Sequence, residues 1–391
     1  MMEEKHIRNA RRCPNTWLYL SMFMFALILV GCSASSVTTP TTVNTTPVVT
    51  PSPTRPFPNA AQLDAYLTHL EHGGVLSGAV LVAHDGMLFE KGYDVADRDA
   101  NIPNTPQTRF RIGSITKQFT AMAILILQDR GKLHVQDAVC LYVPDCPQDW
   151  QPITLANLLT HTSGIPDYIN SPDFVATWTE PATPEELVAR FKDLPLEFPP
   201  GSRFKYSNSG YALLGYIIER VSGESYARFL QQNIFTPLKM SNTGYDTTYP
   251  PLPQHATGYY QGYVRPALYD PSVLYAAGAL YSTVEDLNVW DQALMMHKLV
   301  SQQALNAMFT PHIPCPPPGA GGCLLHEDMG YGYGWFIAAE SQGRLIYHVG
   351  HIDGFFTYNG FYPKSNLVVV VLSNLETTDV LKTGLTLASM V

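Results

Sequence analysis

The chain is 391 residues long, 46% hydrophobic and only 15% charged, with a formal net charge of −9. That balance supplies apolar surface for a large core. It excludes a nucleic-acid binder, because phosphate recognition needs clustered Lys and Arg and no basic run lies beyond the N-terminus.

The first segment reads as an address rather than as folded structure. Lys5, Arg8, Arg11 and Arg12 precede "WLYLSMFMFALILV", Trp17 to Val30. That apolar run is short against the about 20 residues a membrane-crossing helix needs. "LVGC" then ends at Cys32. Small residues before a cysteine, directly after an apolar core, resemble a bacterial lipoprotein signal. The resemblance implies a signal peptide over 1–31, cleaved before Cys32, and lipid attachment to its thiol. An uncleaved signal anchor is the alternative. Either reading places the body on the outer side of the bacterial cytoplasmic membrane, at the surface or in the periplasm. The Thr- and Pro-rich stretch up to Pro58 has no apolar period, so 32–58 read as a semi-extended tether.

From 59 to 391 one domain is expected. "AAQLDAYLTHLEHG" has apolar residues at helical spacing and stops at Gly73. "SGAVLVAHDGMLFEKGYDVAD" alternates around Asp85-Gly86, a hairpin signal. "FRIGSITKQFTAMAILIL" predicts a buried helix that closes at Gly131. Between about 132 and 285 a helical subdomain is expected: "TLANLLTHTSGIPDY", "TPEELVARFKDL" and "SGYALLGYIIERVSGESYARFLQQNIFTPL" are helical by period, with caps at Thr154, Thr183 and Ser209. "STVEDLNVWDQALM" adds a helix capped by Ser282 or Thr283. After a Pro/Gly loop at 311–322, "YGYGWFIAAE", "RLIYHVGH", "FTYNGFYP" and "LVVVVLSN" read as strands, and "TTDVLKTGLTLASMV" as a closing helix. Terminal strands bracketing a helical insertion predict an α+β fold: an antiparallel sheet flanked by helices, a helical subdomain beside it, and an active site at the seam.

Cysteine usage fits an oxidising compartment. Cys140 and Cys146 form one close pair, Cys315 and Cys323 another, and a local disulfide in each is expected. Zinc is the alternative, but neither pair has C-x-x-C spacing and no histidine stands at ligand spacing. No metal and no cofactor are expected.

Three short signals carry chemistry. Ser114 and Lys117 stand at i and i+3 of a helix start, on one face. Apolar surroundings lower a lysine pKa, and a neutral lysine can take a serine proton. A solvated helix start is the competing account. Tyr206 and Asn208 in "YSN" point to one side of an extended or turn segment, aiming a phenol and an amide at one space. In "HVGHIDGF", Gly350 would let a substrate backbone approach the strand, and the His351 backbone N–H could serve as an oxyanion donor opposite that of Ser114; an edge strand ending in a turn with satisfied histidines is the competing account. His161 reads as a loop brace. Tyr259, Tyr260, Tyr263, Tyr331, Tyr333 and Trp335 read as packing under loops, with cleft lining as the alternative.

S-x-x-K, Y-x-N and H-x-G, in that order, together with "LLTHTSGIPDY", "PGSRFKYSNSGYALLGYIIERVSG" and "HIDGF", resemble the serine β-lactamase-like family. The branch is that of class C β-lactamases, D-Ala-D-Ala carboxypeptidases and related esterases. The resemblance covers roughly residues 60 to 391. It implies the β-lactamase/transpeptidase-like fold, Ser114 as acylated nucleophile, Lys117 as base and Tyr206 as proton relay. It implies Asn208 as a substrate contact, and His348 to Gly350 as the third motif beside the site. Penicillin-recognising members carry Lys-Thr-Gly or Lys-Ser-Gly there; His348-Val349 would hold a substrate carboxylate less well. The expectation is therefore a hydrolase of esters, or of amides and peptides lacking that carboxylate. A penicillin-binding or cell-wall-peptide protein with little turnover is the second reading. A small-molecule or peptide substrate, a membrane held through the N-terminal lipid, and a monomer are expected.

Overall fold

The computed structural model describes residues 57–246, 254–267, 269–315 and 329–391. The signal segment, Cys32, most of the tether and Cys323 lie outside the described residues. The described residues all belong to one unit, Ser52–Val391.

Two apolar signatures build the sheet. The hairpin pairs β1 (Gly78–His84) with β2 (Met87–Tyr93), Gly78 opposite Tyr93 and His84 opposite Met87. Asp85 and Gly86 at its tip have φ of 49° and 76°, the left-handed pair that matches strand twist. The C-terminal half supplies β3 (Ile313–Pro314), β4 (Gly330–Tyr331), β5 (Phe336–Glu340), β6 (Gly343–Ile352), β7 (Phe355–Tyr362) and β8 (Leu367–Ser373). All pair antiparallel in the order β2-β1-β8-β7-β6-β5-β4-β3. The first strand of the domain thus pairs with its last, Gly78 opposite Ser373.

"LVVVVLS" is apolar at every position because both faces of β8 are covered. Val369 and Val371 join Val80 and Val82 under α1 (Ala60–His72) and the closing helix Val380–Ser389. Val368, Val370 and Leu372 face the other way, into the large core with Leu81, Met122 and Trp290. Asn59, just before α1, donates from Nδ2 to the Met390 carbonyl (2.6 Å), so the domain's two ends lie side by side.

On the second face lies α2 (Thr116–Asp129), whose residues from Thr116 to Leu127 are all buried. Helices α3 (Leu155–Leu159) and α4 (Pro184–Lys192) open on capping boxes, Thr154 with Asn157 and Thr183 with Glu186. α3 is shorter than its sequence period predicts: His161 takes φ 57° and Gly164 φ 78°, which turns the chain away. α5 (Asn208–Ser222) ends at Gly223 in the left-handed conformation, and Ser225 caps a new helix at Tyr226.

The expected Ser209 cap is a correction. The N-cap position is Ser207, and its own side chain makes no capping bond. The Ser209 hydroxyl is engaged elsewhere, donating to the Pro166 carbonyl and accepting from the Tyr168 N–H. α6 (Val284–Met295) is capped by Thr283, whose oxygen accepts from Asp286 N, while the Ser282 hydroxyl meets that of Thr243. The run 331–340 is not one strand: it breaks between Tyr331 and Phe336, where Gly334 has φ 79°. Cys140 and Cys146 are joined in a disulfide. Cys315 is disulfide-bonded too, but its expected partner Cys323 is outside the described residues.

Candidate active site

Ser114 sits in a 3₁₀ turn, Gly113–Ile115, that feeds directly into α2. Gly113 has φ 51°, and a Cβ there would stand 3.0 Å from the His351 backbone N. The turn therefore lies flat against the end of β6. Ile112 is tied down on two sides: its N–H donates to the Leu280 carbonyl, and its carbonyl accepts from the Thr357 hydroxyl (3.0 Å).

One turn along, Lys117 is 0% exposed. It is not a solvated helix end. Its Nζ has three partners: Ser114 Oγ at 3.0 Å, Asn208 Oδ1 at 2.9 Å and the Ala277 carbonyl at 2.8 Å. Burial disfavours the ammonium form, against a smaller opposing pull from Asp167, and brings its pKa down to about 7.

Tyr206 lies over the same space. Its ring is 4.2 Å from that of His161 and 4.7 Å from Lys117 Nζ, centroid distances. Its Oη is shielded from water and has no well-formed hydrogen bond. Burial raises its pKa, and the neighbouring Ser114 hydroxyl partly offsets that, so the phenol stays protonated at neutral pH.

A directional hydrogen-bond chain runs behind these groups. His161 Nδ1 accepts from the Ser207 N–H (3.1 Å), so its Nε2 carries the proton toward Tyr331 Oη (3.2 Å). The Tyr331 hydroxyl meets His348 Nε2 at 3.1 Å, and His348 Nδ1 faces the Val349 carbonyl, which can only accept. Each partner fixes the next, and both imidazoles are neutral. Burial pushes the His348 pKa down to about 3, helped by Lys117, and that of His161 well below its usual value.

Two expected roles change in the structure. His348 is 1% exposed with both nitrogens engaged, so it does not present itself to a substrate. Gly350 does not clear room for a substrate backbone; the Ile112 carbonyl fills that room, and a Cβ would come within 1.9 Å of it. Asn208 accepts from Lys117 at Oδ1 and donates one of its two Nδ2 hydrogens to Asp167 Oδ2 (2.9 Å), which leaves the other for the substrate contact expected of it. His351 points its side chain to Glu376 (2.9 Å), while its backbone N faces the Gly113–Ser114 turn. His161 braces the loop, and Tyr331 is buried in that chain rather than lining a cleft.

Sequence reasoning missed two participants. Ala277 acts through its backbone carbonyl, which no side chain announces. Asp167 lies in "SGIPDY", read as helix; a Pro-Asp pair two residues after a Ser-Gly is a turn signal, and its carboxylate indeed accepts from Ile169 N.

A family model described as Beta-lactamase matches residues 63–388. PbpX of Bacillus subtilis (strain 168), which carries the name of a penicillin-binding protein, is 35% identical over 311 residues, 79% of this chain and 73% of that protein. Protein flp of Staphylococcus aureus (strain COL) is 31% identical over 329 residues, 81% of this chain, and the chain spans 63% of that relative's length. Among solved structures, a D-stereospecific amidohydrolase from Streptomyces superposes with a TM-score of 0.71 at 26% identity, covering 84% of this chain and 98% of that one.

Proposed function

The chain belongs to the Beta-lactamase family, and on that premise we propose that it is an exported serine hydrolase that cleaves ester or amide bonds through a Ser114 acyl-enzyme. One observation carries the reading. Of the three partners of Lys117 Nζ, two can only accept: the Ala277 carbonyl, and Asn208 Oδ1. A neutral amine has two N–H bonds and one lone pair. With both N–H bonds given to those acceptors, the lone pair is left for the Ser114 O–H at 3.0 Å.

The chemistry follows from that arrangement. Lys117 takes the Ser114 proton as Oγ bonds to the substrate carbonyl carbon. The resulting oxyanion is held by the backbone N–H groups of Ser114 and His351. Tyr206 passes its proton to the leaving oxygen or nitrogen as the scissile bond breaks and takes up the one held by the Lys117 ammonium, so both return to their starting states, and water then releases the acyl group by the reverse route. Because the ammonium has no lone pair, kcat/KM should rise with pH through about 7 and level off above it. A pH–rate profile on a substrate that does not itself titrate checks this. A flat profile between pH 5.5 and 8.5 would count against Lys117 as the base.

The substrate class is inferred from charge. His348 is neutral and buried where penicillin-recognising members place a lysine, so the site offers a substrate carboxylate no cation there. That favours esters, amides and peptides without a carboxylate beside the scissile bond, and the D-stereospecific amidohydrolase among its structural relatives points to D-amino-acid amides or peptides. A panel of D-amino-acid amides, D-Ala-terminated peptides, p-nitrophenyl esters and nitrocefin tests it. Amide or ester turnover should exceed that of nitrocefin by about a hundredfold, the worth of one charge-assisted pair. Nitrocefin as the best substrate would overturn the assignment. The lipoprotein signature at Cys32 and the Thr/Pro tether support a body held at the outer face of the membrane.

A further inference from the structure

We propose that Asp167 is a positioning residue: it fixes which end of the Asn208 amide faces Lys117, and thereby keeps the lysine lone pair aimed at Ser114. This rests on the reading of Ser114 and Lys117 given above. An asparagine amide is nearly symmetric in shape, so only its partners decide which end is oxygen. On one side of Asn208 stands Lys117 Nζ at 2.9 Å, on the other Asp167 Oδ2 at 2.9 Å. Turned over, the amide would set N–H against N–H on the lysine side and oxygen against oxygen on the aspartate side. The carboxylate accepts only, so it selects Nδ2 and presents Oδ1 to the lysine. Without that choice, Nδ2 could face Lys117 and compete with Ser114 for the lone pair.

Asp167 is held as a template must be. Its Oδ1 accepts from the Ile169 N–H (3.3 Å), and the Asn208 backbone N–H also reaches the carboxylate. The two serines flanking Asn208 clamp the loop that carries it. Ser207 Oγ donates to the Ile165 carbonyl, and Ser209 Oγ bridges the Pro166 carbonyl and the Tyr168 N–H. The stretch Tyr206 to Ser209 and the loop Ile165 to Tyr168 therefore form one rigid unit, with the Asp167–Asn208 contact at its centre.

Asp167 also acts through charge. The titratable groups facing Lys117 are His161 from its loop, His348 from β6, Tyr206 before α5 and Tyr211 on α5. All four are neutral near pH 7. Asp167 is the further group whose charge stabilises the ammonium, and its removal should move the lysine titration to lower pH.

The test is Asp167→Asn, Asn208→Ala and the double variant, assayed across pH with a p-nitrophenyl ester and checked by thermal unfolding. Asp167→Asn should lower plateau kcat by about tenfold to a hundredfold, the range for one charge-assisted hydrogen bond. KM should stay within about twofold, and the rising limb should move to lower pH. The double variant should be no slower than Asn208→Ala alone, because the two act in series. An unchanged kcat and limb in Asp167→Asn, or losses that multiply in the double variant, would overturn the proposal. If Asp167→Asn does not fold, Asp167→Ser carries the same two readouts. A Ser114→Ala variant that still turns over the ester sinks the acyl-enzyme reading instead, so the two failures are distinguishable.

Discussion

Replacing Ser114 with alanine should reduce ester turnover by roughly 10⁴-fold or more, the scale seen when a serine nucleophile is removed. It should also abolish the mass increase produced by a fluorophosphonate. The fold should be almost untouched. Ser114 is only partly buried, and Lys117 retains Asn208 and Ala277 when the hydroxyl is lost. The loss of one hydrogen bond at a partly buried hydroxyl costs about 1 kcal/mol. A variant with unchanged Tm and no turnover isolates chemistry from stability. Stoichiometric labelling of Ser114→Ala at another residue would place the nucleophile elsewhere and remove the basis of the mechanism.

Gly350→Ala should affect both quantities. The new Cβ would lie 1.9 Å from the Ile112 carbonyl oxygen and 2.5 Å from Thr357 Oγ1. The first is backbone, and it is already bonded to that same threonine hydroxyl. No rotamer change relieves the contact, so the turn must lift from β6. Overpacking of this kind costs about 1–3 kcal/mol, and Tm should fall by several degrees. The catalytic loss should be larger. Ser114 is two residues from Ile112, and its N–H and that of His351 must face one oxygen. A displacement of about 1 Å at such a site can cost a hundredfold in rate. Kinetics at a temperature well below the variant's Tm separate the two effects. Full activity there would show that β6 does not set the position of the nucleophile.

Much of this was legible in local pattern. Ser114 and Lys117 are three apart on one helix, a relation fixed by helical geometry alone. The caps at Thr154, Thr183 and Thr283, and the Asp85-Gly86 hairpin, depend on residues within four positions of one another. What failed depended on the fold. Ser209 is a good cap by sequence, yet its hydroxyl has two backbone partners in a loop more than forty positions earlier. Gly350 signals a close approach, but not whether substrate or protein makes it. His348 could be read as neutral at pH 7, but its burial comes from Tyr331 and Phe336 packing against it across the sheet. Asp167 and Asn208 meet only because the helical insertion folds back on itself.

The pairing of the first strand with the last has a consequence for how the molecule is made. β1 leaves the ribosome early but cannot gain its second neighbour until β8 has been synthesised, so the middle of the sheet closes last. Such long-range closure slows folding and lengthens the time during which unpaired strands are open to other chains. A product cut short before Leu367 would hold β1 and β7 as two free apolar edges, with "GAVLVAH" as an adhesive segment. Translational pausing or truncation near the C-terminus should thus endanger solubility more than any change in the helical insertion.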